Sequence, residues 1–200
     1  MSPVSAEPDE AEQGASYSFR SSLLGPGWEF RITGDGLDWS SGQRAGHVPF
    51  AKVRRVRMAF RPLSMQSYRF LTEVWAEGTP KLTIASTSWK GLVEHQRLDK
   101  EYSAFVRALH RGLARSRTAA RLERGSPPLL YWPGVVVLFG MALGFAVLIV
   151  FALRSGSLAG AAFVAAFLLL FLWQSGNFFR RNRPGLYPAE APPEDLLPGR

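Results

Sequence analysis

YWPGVVVLFGMALGFAVLIVFAL (Tyr131–Leu153) and, four residues later, LAGAAFVAAFLLLFLWQSGNFF (Leu158–Phe179) contain no charged side chain. Wound as α-helix at about 1.5 Å per residue, each is long enough for a hydrocarbon core of about 30 Å. The link Arg154-Ser155-Gly156-Ser157 leaves room only for a tight reversal. The sequence therefore predicts a transmembrane hairpin, with spans 131–153 and 158–179 joined by 154–157. Tyr131 and Trp132 mark one interface, and Trp173, Phe178 and Phe179 lie near the return to it. Neither span holds Asp, Glu, Lys or His, so the buried ionisable groups of a proton relay or ion path are missing and the pair reads as an anchor. Gly140/Gly144 and Gly156/Gly160 have the GxxxG spacing, which packing within the hairpin explains at least as well as dimerisation.

Working outward, Arg115, Arg117, Arg121 and Arg124 precede the first span, Arg180, Arg181 and Arg183 follow the second, and Arg154 alone sits in the link. Basic residues gather on the cytoplasmic side, so both ends of the hairpin are expected there. The head, 1–16, carries Glu7, Asp9, Glu10 and Glu12, no basic side chain and no apolar core; it reads as a disordered acidic lead and not as a secretory signal. The absence of cysteine excludes disulfides, thiolate metal sites and cysteine nucleophiles.

Between the lead and the hairpin, Tyr17–Leu130 holds 19 basic and 9 acidic side chains, an excess suited to phosphate of lipid headgroups or of nucleic acid; with no nucleic-acid module in the sequence and an anchor beside it, lipid is the expected polyanion and no nucleic acid is assigned. Its first part alternates with period two. Trp28, Phe30 and Ile32 interleave with Glu29, Arg31 and Thr33; Gly34-Asp35-Gly36 then turns the chain into Leu37-Asp38-Trp39. Val56, Met58 and Phe60 alternate with Arg55, Arg57 and Arg61, and Tyr68–Val74 follows the same rhythm. Lys81–Ala85 reads as a last strand, followed by a loop with Trp89. From Asp99 the period changes: Tyr102, Phe105, Val106, Leu109 and Leu113 share one helical face, with Asp99 as the expected cap. The fold class is α+β, either a strongly bent antiparallel sheet or split barrel capped by a C-terminal amphipathic helix, or an open sheet.

Strands, then HVPFAKVRRVRM (His47–Met58), then a C-terminal amphipathic helix: this order resembles the bacterial pleckstrin-homology-like (PH-like) domains of small membrane proteins, over roughly Tyr17–Arg115. The resemblance implies seven strands in two nearly orthogonal sheets, a capping helix, a bacterial inner membrane setting, and interaction rather than catalysis. The basic motif of the phosphoinositide pocket in eukaryotic relatives has no counterpart here, so that pocket is not carried over.

Candidate chemistry is sparse. His47, His95 and His110 lack metal-ligand spacing, and His110 and the loop pair Glu94-His95 read as solvated. There is no GxGxxG, GK[ST] or GxSxG motif, so no catalytic residue, cofactor or metal is assigned and the chain reads as a non-enzyme. What stands out is basic: Lys52, Arg54, Arg55, Arg57 and Arg61 around one strand, Arg107, Arg111 and Arg115 along the helix, and Arg117, Arg121 and Arg124 before the first span. These are the candidate contacts for anionic lipid or a membrane-protein partner, with a solvated face as the plain alternative. The expected layout is a PH-like cytoplasmic domain (17–116), a basic juxtamembrane linker (117–130), the hairpin, and a Pro-rich, largely solvated cytoplasmic tail (180–200).

Overall fold

The computed structural model describes residues 14–62, 68–91 and 95–199. The chain divides into two compact units, one built from residues up to Arg124 together with Gly185–Arg200, the other from Gly125–Pro184. Most of the acidic lead and Glu94 lie outside the described residues.

The first unit is mixed α+β. Strands β1 (Ser16–Arg20), β2 (Gly27–Ile32), β3 (Gly36–Ser41) and β4 (Arg44–Pro49) form an antiparallel meander. A single 3-10 turn, Phe50–Lys52, leads into β5 (Val53–Phe60), which pairs with β6 (Phe70–Ala76), and β6 with β7 (Leu82–Ala85). The period-two reading holds on β1, β2 and the first part of β5, which bury alternate positions, whereas β6 buries both faces from Phe70 to Val74. Tyr17, Phe19, Phe30, Ile32, Leu37 and Val48 are buried on the meander, and Val56, Met58, Phe60, Val74, Leu82 and Ile84 on the second sheet.

Helix α1 (Asp99–Arg115) supplies the remaining core through Tyr102, Phe105, Val106, Leu109 and Leu113, all buried. It lies close to the turn after β4: a Cβ on Gly112 would come within 2.6 Å of the Phe50 ring. Two polar bonds cross the interior, where an unpaired group is costly. The Tyr17 hydroxyl donates to the Ala85 carbonyl at 2.6 Å, joining β1 to β7, and the hydroxyls of Thr72 and Tyr102 bond at 2.7 Å.

The structure corrects several expectations. Asp99 does not cap α1: Leu98 occupies the cap without a side-chain bond, and Asp99 and Glu101 lie in the first turn, where their charge still favours the helix dipole. The segment around Trp89 is a strand, β8 (Thr87–Trp89), paired with β9 (His95–Arg97). The linker 117–130 contains β10 (Arg121–Arg124), parallel to β5, and the first turn of the next helix. The tail is not a solvated appendage. It returns as β11 (Gly185–Leu186) antiparallel to β10, extending the second sheet to the order β11-β10-β5-β6-β7, and continues into a 3-10 turn (Glu194–Leu196) that buries Leu196 and Leu197.

The second unit is a helical hairpin, α2 (Pro128–Arg154) and α3 (Leu158–Arg181), both long and apolar enough to cross a membrane. Pro127 and Pro128 open α2, where a missing N–H costs nothing. The Ser157 side chain accepts from the Gly160 amide at 3.3 Å to start α3. Phe145 packs on Phe167 and Phe171, and Tyr131 on Phe179, as antiparallel neighbours require. Packing within the hairpin does not explain the first GxxxG pair, because a Cβ on Gly140 or Gly144 would meet nothing within 4 Å.

Candidate interaction surface

The outer face of the second sheet gathers charge because β5, β6 and β10 align their polar positions. Register sets Arg121 beside Arg55 and Arg55 beside Trp75; the next row runs Glu123, Arg57, Glu73. The Arg55 guanidinium lies 3.9 Å from the centre of the Trp75 ring, with Arg57 at 5.4 Å and the Lys81 ammonium at 5.8 Å, within the range of cation–π attraction. Carboxylates neutralise much of the rest. Glu123 accepts from Arg57 at 2.7 and 3.1 Å and pairs with Arg121 at 3.0 Å, Glu73 accepts from Lys81 at 2.9 Å, and Glu77 accepts from Arg54.

The basic strand cluster is therefore smaller in net charge than its sequence suggests. Arg54 and Arg57 are paired, Arg55 is stacked on an aromatic ring, Lys52 is exposed on the turn before β5, and Arg61 is exposed just beyond its end. Of the linker arginines Arg121 joins this group, beside Arg55, whereas Arg117, Arg124 and the helix row do not. Arg107 forms a bidentate pair with Glu194, both bonds 2.7 Å, and Arg124 pairs with Asp195, so both hold the returning C-terminal segment. Arg111 and Arg115 are exposed on α1, and Arg117 is exposed with φ 47°.

The histidines behave differently from one another. His47 Nδ1 lies 2.6 Å from Asp38 and Nε2 3.4 Å from Asp35, and these carboxylates, Asp38 foremost, hold its pKa above the usual value. His110, expected to be solvated, is buried. Its Nδ1 donates to the Val106 carbonyl at 2.7 Å and its Nε2 accepts from the Tyr187 hydroxyl at 2.9 Å; burial pushes its pKa down, so the ring is neutral. A polar groove of about 660 Å³ crosses the meander, lined by Ser16, Ser18, Glu29, Arg31, Asp38 and Ser40. Among the described residues no three His, Cys, Asp or Glu side chains are placed to hold a metal ion.

Sequence reasoning missed Trp75 and Glu123 as members of this surface and Glu194 as the partner of Arg107. Trp75 shares the phase of Leu71 and Glu73, so alternation alone puts it on the polar face once β5 and β6 are paired. Glu123 and Glu194 carry no comparable local signal, since their partners are far along the chain. Comparison with family models, with curated proteins and with solved structures returns no match. What the fold defines is a mixed α+β unit carrying a helix pair long and apolar enough to cross a membrane.

Proposed function

We propose that this chain is a membrane-anchored, non-enzymatic interaction module of a bacterial inner membrane, whose PH-like cytoplasmic domain presents a basic face to a protein partner or to anionic lipid. The observation that carries the reading is the helix pair: the most apolar 18-residue window of α2 is 0% buried and that of α3 6%, which suits lipid and not a soluble core. Chain order is compatible with the PH-like assignment: a four-stranded antiparallel sheet, then β5–β7 of the second, five-stranded sheet, the β8–β9 pair, and a helix. Pairing of β10 with β11 supports an even number of crossings, because the chain before and after the hairpin belongs to one ladder and so to one side of a membrane. The arginine distribution argues that this side is cytoplasmic.

The test uses the full chain, since residues 185–199 are part of the domain. In bilayer discs of phosphatidylcholine alone or mixed with phosphatidylglycerol, amide exchange across Val53–Phe60 is expected to slow only in the anionic discs, and Lys52→Glu with Arg55→Glu to abolish the difference. A photoreactive side chain at position 52, used in native membranes, reads a protein partner instead. Identical exchange in both lipids together with no crosslink sinks the proposal and leaves the face as solvated surface. A second reading, an accessory subunit bound through its helices, is favoured by the open Gly140/Gly144 face. Loss of a co-purifying partner on replacing the hairpin by an unrelated one would select it.

A further inference from the structure

Beyond Phe60 and Phe70, the last cross-strand partners of β5 and β6, the pairing continues one step further, with the Arg61 amide donating to the Arg69 carbonyl at 2.8 Å. The alternation that puts Arg55, Arg57 and Ala59 on the outer face puts Arg61 there too, directly opposite Arg69. Side chains so placed have Cβ atoms about 5 Å apart, and like charges in this arrangement destabilise a sheet. Elsewhere on this face every close pair of cations is relieved by Glu77, Glu123, Glu73 or the Trp75 ring. Here relief is absent: the sequence from Arg61 to Arg69 contains no Asp or Glu, and among the described residues neither guanidinium has a carboxylate partner.

Arg69 is the more exacting of the two. Its Nε is buried and bonds to nothing among the described residues, a condition that native proteins rarely leave without an ion or water to answer it. Burial and the Arg61 charge both act against its protonated state. A donor so placed, with a second guanidinium facing it, is stabilised by an anion offering several oxygens in a fork geometry.

We propose that Arg61 and Arg69 form a binding site for a phosphate group at the end of the β5–β6 pair. The inference rests on the interaction-module reading and deepens it by naming the chemistry of one contact. The phosphate belongs either to a lipid headgroup or to a free phosphate, and both would meet the same donors.

The full chain in zwitterionic micelles, labelled so that arginine Nε–Hε signals are observed, is titrated at fixed ionic strength with inorganic phosphate and, separately, with short-chain phosphatidylglycerol. The expected result is a saturable shift of two signals, those lost in Arg61→Gln and in Arg69→Gln, with binding weakened about tenfold or more in each single variant. Arg44→Gln, an exposed arginine on β4, should leave the titration unchanged. Saturation at lower concentration with the lipid assigns the site to a headgroup, and at lower concentration with inorganic phosphate to a free anion. Arg61→Gln also removes the repulsion, so its amide spectrum should remain that of a folded chain. No saturable shift from either probe, or the same titration in both Gln variants as in wild type, overturns the site. Because the exchange and crosslinking experiments read Lys52 and Arg55, failure here leaves the wider proposal standing and is distinguishable from its own failure.

Discussion

Thr72 and Tyr102 face each other in the core with their hydroxyls 2.7 Å apart, and neither is accessible to water. Removing one partner strands the other, so Tyr102→Phe should destabilise the first unit by about 1–3 kcal/mol, whereas Tyr102→Phe with Thr72→Val should recover much of the loss. Denaturation followed by tryptophan fluorescence measures both. The two histidines make opposite contributions to pH dependence. His110 has its pKa lowered by burial from the ordinary 6.5, so below about that pH the unfolded chain takes up a proton that the folded one refuses. Its contribution is present above pH 6.5 and is lost as the pH falls; His110→Gln should flatten the acid limb of the stability curve. His47 has its pKa raised, so its contribution is complete below 6.5 and fades as the pH climbs through its folded value. In His47→Asn that alkaline decline should disappear while the acid limb stays.

The C-terminal return shows which forces hold an element that has almost no secondary structure of its own. Leu196 is 0% exposed, and Leu196→Ala should cost about 2–5 kcal/mol through lost burial and the cavity left behind. The Arg107–Glu194 pair is nearly half exposed on both sides, so Glu194→Ala should cost about 1 kcal/mol or less. Thermal melts of the two variants, run side by side, check the order; a larger effect from Glu194→Ala would show that charge and not packing seats the segment. This segment was also the least legible part of the sequence. Strand β2 and the first part of β5 announce themselves because one buried face imposes period two, whereas β6 is buried on both faces from Phe70 to Val74 and is legible mainly as a run of strand-forming residues. Strand β11 has two residues and β10 four, too short to carry a period, and they meet only after a 60-residue excursion through the hairpin. Pro-rich, acidic composition reads as solvated tail until Arg107 and Arg124 are placed opposite Glu194 and Asp195. His110 did carry a usable signal: it stands four residues after Val106 and three before Leu113, in phase with the buried stripe of α1. The basic cluster was legible as residues but not as charge, because its neutralising partners come from β6, β10 and the loop after β6.

For the whole chain, the natural absence of cysteine allows single-cysteine labelling without background. Ser18→Cys on β1 and Ala189→Cys after β11 should react with an impermeant maleimide from the same side of sealed membrane vesicles, and Ser155→Cys, between α2 and α3, from the other. Labelling of Ala189→Cys and Ser18→Cys from opposite sides would contradict the shared ladder of β10 and β11. That ladder bears on how the protein is made. Domains usually fold as they leave the ribosome, N-terminal parts first. Here β10 acquires its outer neighbour, and α1 and β5 the covering of Leu196 and Leu197, only from residues synthesised after both apolar helices. A nascent chain stalled at Pro184 would hold an unfinished sheet edge and an uncovered apolar patch, and would be cut by protease where the completed chain resists. Maturation of the globular part thus waits on delivery of the helix pair, which turns residues 185–199 into a seal that closes only after both helices have been made.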